Sequence, residues 1–527
     1  MRVQTVTLVL GLGFVLLRGA MAQVTLPLDP IFGEGGLAVT DLGGDFEGGT
    51  PLLRLPDGRY ILAGGTNRPF VEGRGGFDLA ILAFTPDGRP DPTFGTEGIV
   101  VLDLGGSNAY NEWARALVLT PDDHIVVVGE AANITNGNDG EVLVARYDLS
   151  GRLDPGFGEG GIVLLDVLPG RDRGWAALVT PDGSLLVGVE NWGDFAAVRL
   201  QRDGEVDTSF GNGGVARMDV GGDEIAQGFA LDSAGRLLAS GTTWPAGDIV
   251  VARWSQDGQP DPSFGTAGMK VIDIDGGEDQ ATMIRIGQGG EITLFGFTGI
   301  RNSGVYEQYA AIVRLTPEGN LNLDFGDQGI RVLRDLGHAA VFSDVAVDTD
   351  GRFLTSVNRL FSDGTTSGYF VRFLPDGAVD STYGSAGMAA LPFPLYSFLL
   401  ERSGQAVASV DVSRPDFAVG RFAHVITVSA EAHVAPSAPE TFRLLPVYPN
   451  PTAGEANVRI VAGHSQRVQV AVFDVLGRQV GSVFDGSITR SGVEIRADIS
   501  NLPSGTYVMV AKGEQAIASQ ILTIVRD

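Results

Sequence analysis

No cysteine occurs anywhere in the 527 residues. That excludes disulfide staples, thiolate nucleophiles, zinc ribbons and iron–sulfur clusters, and leaves packing and hydrogen bonds to hold the fold. Histidine is nearly as scarce. His124, His338, His424, His433 and His464 form no H-x-H or HExxH pairing, so a zinc or copper centre lacks a ligand set. Positive charge is short as well: 37 lysines and arginines face 64 aspartates and glutamates, a formal charge of −27. Such a field repels nucleic-acid phosphates and anionic headgroups, so no nucleic-acid partner is expected, and cations or neutral polymers fit better. Past the N-terminus no apolar run is long enough to cross a bilayer, and helical periodicity is almost absent.

Glycine, in contrast, is abundant at 75 residues, in a chain that is 44% hydrophobic and 19% charged. This is the composition of a turn-rich β protein rather than of a disordered one. The first residues, MRVQTVTLVLGLGFVLLRGAMAQ, place Arg2 before the apolar stretch Val6–Leu17 and end on Ala20 and Ala22. That is the layout of a signal peptide over residues 1–22, which implies an exported protein without a transmembrane segment after its removal.

One motif dominates the rest. LDPIFGEGG begins at Leu28, and the same core, [DN]-x-x-[FY]-G-x-x-G, returns six more times. Its aromatics are Phe32, Phe94, Phe157, Phe210, Phe264, Phe325 and Tyr383, spaced 53 to 63 residues apart. Within each unit four apolar runs alternate with Gly, Pro and Asp turns, the signature of a four-stranded antiparallel sheet copied in tandem. The prediction is all-β: a seven-bladed β-propeller over residues 23–423, with an open β-solenoid as the competing arrangement. Because the chain begins on a glycine-motif strand, at about 32–42, that strand can complete the last blade and latch the ring without covalent help.

The third copy reads GFGEGG at 156–161, which imitates the G-x-G-x-x-G of a dinucleotide loop. A dinucleotide loop opens a helix, whereas here IVLLDV follows as a strand. Gly156 is Ile31, Thr93, Ser209, Ser263, Asp324 and Thr382 in the other copies, so the match is accidental. The motif resembles the delta-60 repeat, a bacterial repeat with the same Asp…Phe-Gly…Gly signature and downstream PDG turn. The resemblance covers residues 28 to 423 and implies architecture rather than activity.

The repeated residues read as structural: an Asx turn from the Asp or Asn, tight strand entry from the glycines, packing between sheets from the aromatic. Arginine recurs in the last strand of six copies (Arg146, Arg199, Arg253, Arg314, Arg372 and Arg421), with Ala83 in that slot of the first copy. Ion pairing to turns and an axial anion funnel are the two readings of that row. An acid follows the last motif glycine by five residues at Asp41, Asp103, Asp166, Asp219 and Asp273. Acidic turns at 136–141, 273–279 (DIDGGED) and 348–351 make calcium possible through oxygen ligands, although none has EF-hand spacing and ordinary turns account for them. No other cofactor is indicated, and no residue is singled out as catalytic. The loops between the third and fourth strands of each unit vary most and gather on one face of a ring; Phe70, Trp192, Trp244 and Tyr306 form a candidate ligand rim there.

Residues 424–441, rich in Ala, Ser, Pro and Glu, read as a linker, and residues 442–527 as a small Ig-like β-sandwich. The pieces Tyr448-Pro449-Asn450-Pro451 with Gly454, Phe473-Asp474…Gly477-Arg478, and Leu502-Pro503…Gly505-Thr506-Tyr507 are similar to the type A C-terminal sorting domain of the type IX secretion system of Bacteroidota-type bacteria. That resemblance implies the type IX machinery as partner and release or attachment at the outer cell surface. The expected function is a monomeric binding or adhesion module for an extracellular glycan or protein. An extracellular hydrolase or lyase with carboxylates near the ring axis is the alternative.

Overall fold

In the computed structural model the described residues are 25–423, except 68–75, 105–109, 134–139, 192, 303–304, 337–338, 349, 362–363, 402 and 413–415. To these are added 425, 443–444, and 455–524 except 462–465, 474–478, 489–492 and 513–516. The expected signal peptide lies outside them, as does the expected linker apart from Val425. Two compact units emerge, Met1–Val428 and Ser429–Asp527.

The first unit is built from seven four-stranded antiparallel sheets. Blade one runs Glu47–Arg54, Tyr60–Thr66, Asp78–Phe84 and Ile99–Leu102, and blades two to six repeat that order. Blade seven takes Leu395–Leu400, Ala406–Val410 and Phe417–Phe422 from the end of the repeats, and its fourth strand, Leu37–Thr40, from the beginning. Leu37 pairs with Gly420 and Thr40 with Phe417, so the chain's two ends share one sheet and the ring is closed by hydrogen bonds. The fold is a seven-bladed β-propeller.

Why seven sheets make a ring follows from the middle strands. In blade two, Ile125 and Val127 pack into the core shared with blade one, while Val126 and Val128 pack into the core shared with blade three. Alternate side chains of a strand point to opposite faces, and here both faces are covered, which is why IVVV runs unbroken. Seven hydrophobic cores result, one per blade junction, including the junction of blades seven and one around Phe32, Phe417 and Val419. Each innermost strand also carries one β-bulge against its neighbour, at equivalent places in all seven blades. A bulge bends a strand and redirects a side chain.

The repeat motif is the joint between blades. All seven Asp or Asn side chains accept the N–H two residues on, closing the expected Asx turns at 2.9–3.2 Å. The first motif glycine sits at φ of 51–59° and the second at 90–102° in every copy. At Gly33 a Cβ would lie 2.0 Å from the Leu37 carbonyl oxygen, so no side chain fits. That glycine's N–H donates to a turn carbonyl of the next blade: Gly33 to Asp87, Gly95 to Ser150 and Gly158 to Asp203, with three further copies. The motif aromatics are 0–2% exposed except Tyr383 at 7%, so they fill the space beneath that turn rather than meet solvent.

The recurrent arginines complete the joint instead of lining a funnel. Six guanidiniums stack on motif rings at 4.6–5.5 Å from the centroid. Arg253 also donates to Asp261 (2.9 Å), to the Ser263 hydroxyl (3.0 Å) and to the Pro317 carbonyl of the next blade. Where the first copy has Ala83, Arg59 from the adjacent turn reaches Asp91 at 2.8 Å. Where the sixth motif has Asn322, Arg314 turns to Glu291 at 3.2 Å.

The second unit is a two-sheet β-sandwich. Arg443–Leu444, Glu455–Val461 and Val493–Asp498 form one sheet; Gln479–Ile488, Gln466–Phe473, Gly505–Lys512 and Ile517–Ile524 form the other. Val458, Val470, Met509 and Leu522 are among its buried core. Among the described residues of the whole chain the sole helical element is a 3-10 turn at Arg334–Leu336, and no helix is long and apolar enough to cross a membrane.

Arg253 is 3% exposed, and removing one partner of a buried ion pair leaves the other charge stranded. Arg253→Ala is expected to lower propeller stability by about 3–5 kcal/mol in chemical denaturation. Arg253→Lys should recover little, because an ammonium cannot bridge Asp261 and a carbonyl while lying flat on a ring.

Candidate functional site

The face on which the innermost strands begin carries the non-repeated chemistry. At each of five junctions a buried acid opens the innermost strand of the following blade: Glu47, Glu112, Asp172, Glu224 and Asp279, all at most 4% exposed. Two further acid positions recur beside it. One follows the outer strand (Asp41, Asp103, Asp166, Asp219 and Asp273); the other precedes or opens the third strand (Asp416, Asp78, Asp194 and Asp248). Three of these triads, Asp41–Glu47–Asp416, Asp194–Asp219–Glu224 and Asp248–Asp273–Asp279, bring their carboxylate oxygens within 4.8 Å of one another.

The buried acids are not equivalent. Glu47 is fully engaged: Oε2 accepts the Leu42 N–H (2.8 Å), and Oε1 the Gly44 N–H (2.7 Å) and the Thr66 hydroxyl (3.1 Å). Asp172 accepts the N–H groups of Val167 (2.6 Å) and Leu168 (2.9 Å) and the Asn191 amide (2.7 Å). Among the described residues Glu112 accepts only the Leu104 N–H (3.1 Å), and its Oε2 is buried without a partner. Burial, reinforced by Asp78 and Asp103, pushes the Glu112 carboxyl up to about 8. Burial, then Asp194, raises Glu224 to about 7. Asp279 rises to about 6, mainly through burial, with Asp273 and Asp248 adding to it.

A cleft of about 390 Å³ opens where blades seven and one meet, lined by Phe46, Trp113, Tyr396, Asp411 and Asp416 among others. Phe46, Phe77 and Trp113 form a ring cluster with centroids 5.4–6.0 Å apart. Trp113 can lie flat there because residue 65 is glycine: a Cβ would stand 2.3 Å from the indole. Phe46 is 52% exposed and Tyr396 41%, so both offer ring surface to a ligand. Tyr396 is the bulged residue of its strand, the register stepping from Leu395 to Ser397, which aims it off the sheet. Its hydroxyl donates to Asp411 at 3.2 Å. The arrangement is an apolar floor with acceptor carboxylates at its edge, suited to a ligand with C–H faces and hydroxyl or ammonium donors.

Of the expected rim, Trp244 is 55% exposed at the end of Leu237–Trp244, and among the described residues no aromatic ring stacks on it. Phe70 and Trp192 lie outside the described residues, as does the side chain of Tyr306. Trp244 is thus the one rim side chain among the described residues, and the aromatic cleft is formed by Phe46, Trp113 and Tyr396, none of which the sequence singled out. Of the sorting motif, Tyr448, Pro449, Asn450, Pro451 and Gly454 also fall outside. Gly505 opens the strand Gly505–Lys512, and the Tyr507 hydroxyl donates to the Pro503 carbonyl at 2.9 Å, bracing the turn before it.

Residues 446–525 match the family described as "Secretion system C-terminal sorting domain". Residues 120–157 and 180–210 match "Domain of unknown function (DUF5122) beta-propeller". The protein is thus a repeat propeller with a type IX sorting tail, and that tail directs it to the type IX machinery, secretion and the outer cell surface. No curated protein matches the chain in sequence. Solved structures similar to it include a protein of unknown function from Bacteroides caccae, 11% identical over 59% of this chain and 95% of that one, with a TM-score of 0.33. The soluble aldose sugar dehydrogenase of Escherichia coli is 12% identical over 61% and 96%, with a TM-score of 0.33. Prolyl oligopeptidase B from Galerina marginata is 9% identical over 82% and 57%, with a TM-score of 0.39.

The raised Glu112 gives a pH signature. Its charged form is disfavoured in the fold, so stability falls as pH rises from the ordinary carboxylate value of 4.5 towards about 8, and levels off above. In metal-free buffer, Glu112→Gln is expected to raise the thermal midpoint at pH 8.5 and leave it nearly unchanged at pH 5. An equal effect at both values would show that the carboxylate is not held neutral.

Proposed function

We propose that the protein is a surface-displayed binding module that takes a neutral or cationic glycan in the cleft between blades seven and one. The carrying observation is the pairing of exposed Phe46 and Tyr396 rings with Asp411 and Asp416 in one cleft. Sugar rings present C–H faces that pack on aromatic side chains and hydroxyls that donate to carboxylates. The charge of −27 disfavours polyanionic ligands. A hydrolase would need two carboxylates free to act on a substrate. Glu47, the most buried acid lining this cleft, spends both oxygens on its own turn and Thr66, which supports binding over chemistry.

A glycan-array screen of the secreted protein tests this reading. Phe46→Ala and Tyr396→Ala should each weaken a detected ligand by about tenfold or more, as truncated aromatic anchors do, while Trp244→Ala leaves it unchanged. Loss through Trp244 alone would move the site to the loop rim. Release of shortened sugars by the wild-type protein would favour the hydrolase. Separately, deletion of residues 442–527 should trap the propeller in the periplasm, read by fractionation and surface labelling.

A further inference from the structure

We propose that the acid corners on either side of the fourth blade, Asp194–Asp219–Glu224 and Asp248–Asp273–Asp279, are calcium sites. The same corner is finished in two ways along this chain. At the junctions of blades seven and one and of blades two and three it is closed by protein donors, as Glu47 and Asp172 show. At the two corners flanking blade four that closure is incomplete.

Glu224 is 0% exposed, and the Val220 and Gly222 N–H groups beside its carboxylate miss hydrogen-bond geometry, so among the described residues neither oxygen is bonded. Asp279 is 1% exposed; its Oδ2 accepts the Ile274 N–H at 2.5 Å, while its Oδ1 faces the Thr298 hydroxyl outside good hydrogen-bond geometry. A buried polar group left unpaired is costly, and a buried charge more so, which makes such atoms rare unless something fills the gap.

What would fill it is defined by the surroundings. In each corner three carboxylates bring oxygens within 4.8 Å of one another, a concentration of negative charge that a divalent cation would relieve. Arg217 pairs with Asp194 and offsets one of the three charges at the first corner. At the second corner the space beside Gly277 is ringed by oxygen: a Cβ there would meet Thr298 Oγ1 at 2.7 Å, the Gly299 carbonyl at 2.8 Å and Asp279 Oδ1 at 3.1 Å. At the first, the Trp244 carbonyl oxygen stands 2.6 Å from where a Cβ of Gly222 would be. The donors are all oxygen, mixing carboxylates with carbonyl and hydroxyl groups, in irregular array. That suits calcium, which takes six to eight oxygens with loose geometry, rather than magnesium or a transition metal. Both corners adjoin the segment from Trp244 to Asp248, so an ion in each would tie that rim loop to the blades beside it.

The test uses the whole secreted protein, stripped with chelator and titrated with calcium chloride by calorimetry, with thermal melting in parallel. Two equivalents of calcium are expected to bind and to raise the melting midpoint, with a smaller rise from magnesium at equal concentration. Glu224→Gln and Asp279→Asn should each remove one equivalent. Because each deletes a buried unpaired carboxylate, both variants should melt at or above the wild type in chelator, so loss of binding is separable from loss of fold. Asp219→Asn and Asp273→Asn, at exposed positions, should weaken the same two equivalents. No heat at about 10 mM calcium, well above the range of weak extracellular sites, would overturn the proposal. So would a stoichiometry that the Glu224→Gln, Asp279→Asn double variant leaves unchanged.

Discussion

The propeller depends on one repeated clasp: an arginine laid flat on the motif aromatic, gripping the motif carboxylate and reaching a carbonyl of the next blade. A sheet four strands wide cannot cover both its faces, so each blade is stable only against two neighbours. Hydrophobic burial supplies the attraction, but burial alone is non-directional and would tolerate slippage between sheets. The clasp fixes the register. Arg253 makes two hydrogen bonds within the motif turn and one across the joint, so a sliding blade would strand a buried guanidinium. Exceptions follow the same logic. Blade one lacks the arginine at Ala83, and Arg59 enters the same Asp91 carboxylate from another turn. The charge is kept even where its source changes.

Closure is the point at which copying stops. Six joints use a motif and a turn from consecutive units, whereas the seventh sheet is assembled from residues nearly four hundred apart in sequence, such as Leu37 and Gly420. Arg421 still pairs with Asp29 and reaches the Pro86 carbonyl, so the latch strand is clasped from both sides. In a chain without cysteine this is what joins the ends. Tyr383, where six copies have Phe, belongs to the joint between blades six and seven. The Tyr383 hydroxyl is buried with no hydrogen-bond partner among the described residues.

Much of this was legible in the sequence, for a physical reason. The motif is local: Asx turn, two positive-φ glycines and an aromatic lie within eight residues, so spacing alone reveals the blade and its number. The strand runs were equally clear because both faces of the middle strands are buried. The aromatic cleft was not legible. Phe46 precedes the first innermost strand, Trp113 sits in the second and Tyr396 in the seventh, and only ring closure brings them near one another. Trp113 is admitted by the absent side chain of Gly65, and Tyr396 is turned outward by a bulge, neither of which has a sequence signal. The buried acids were half visible. The exposed members Asp41, Asp219 and Asp273 showed as a row, but their buried partners Glu47, Glu224 and Asp279 begin strands whose pattern reads as ordinary alternation.

A ring of copied units constrains where function can lie. Any side chain required by the joint appears in most copies, and its role is exhausted by the joint, as the arginines demonstrate. Specific chemistry must come from what the copies do not share, and the differences concentrate in two places: the loops between middle strands and the seam where blade seven meets blade one. The acid corners show how a shared position becomes individual. Asp172 and Glu224 occupy equivalent places at neighbouring joints, yet Asn191 and two backbone N–H groups satisfy one, while the other has only the poorly placed N–H groups of Val220 and Gly222. Retaining the unsatisfied carboxylate costs stability that a glutamine at 224 would restore. A fold already held by seven cores and six clasped rings can carry that cost, so these corners are where the scaffold has room for a task other than holding itself together.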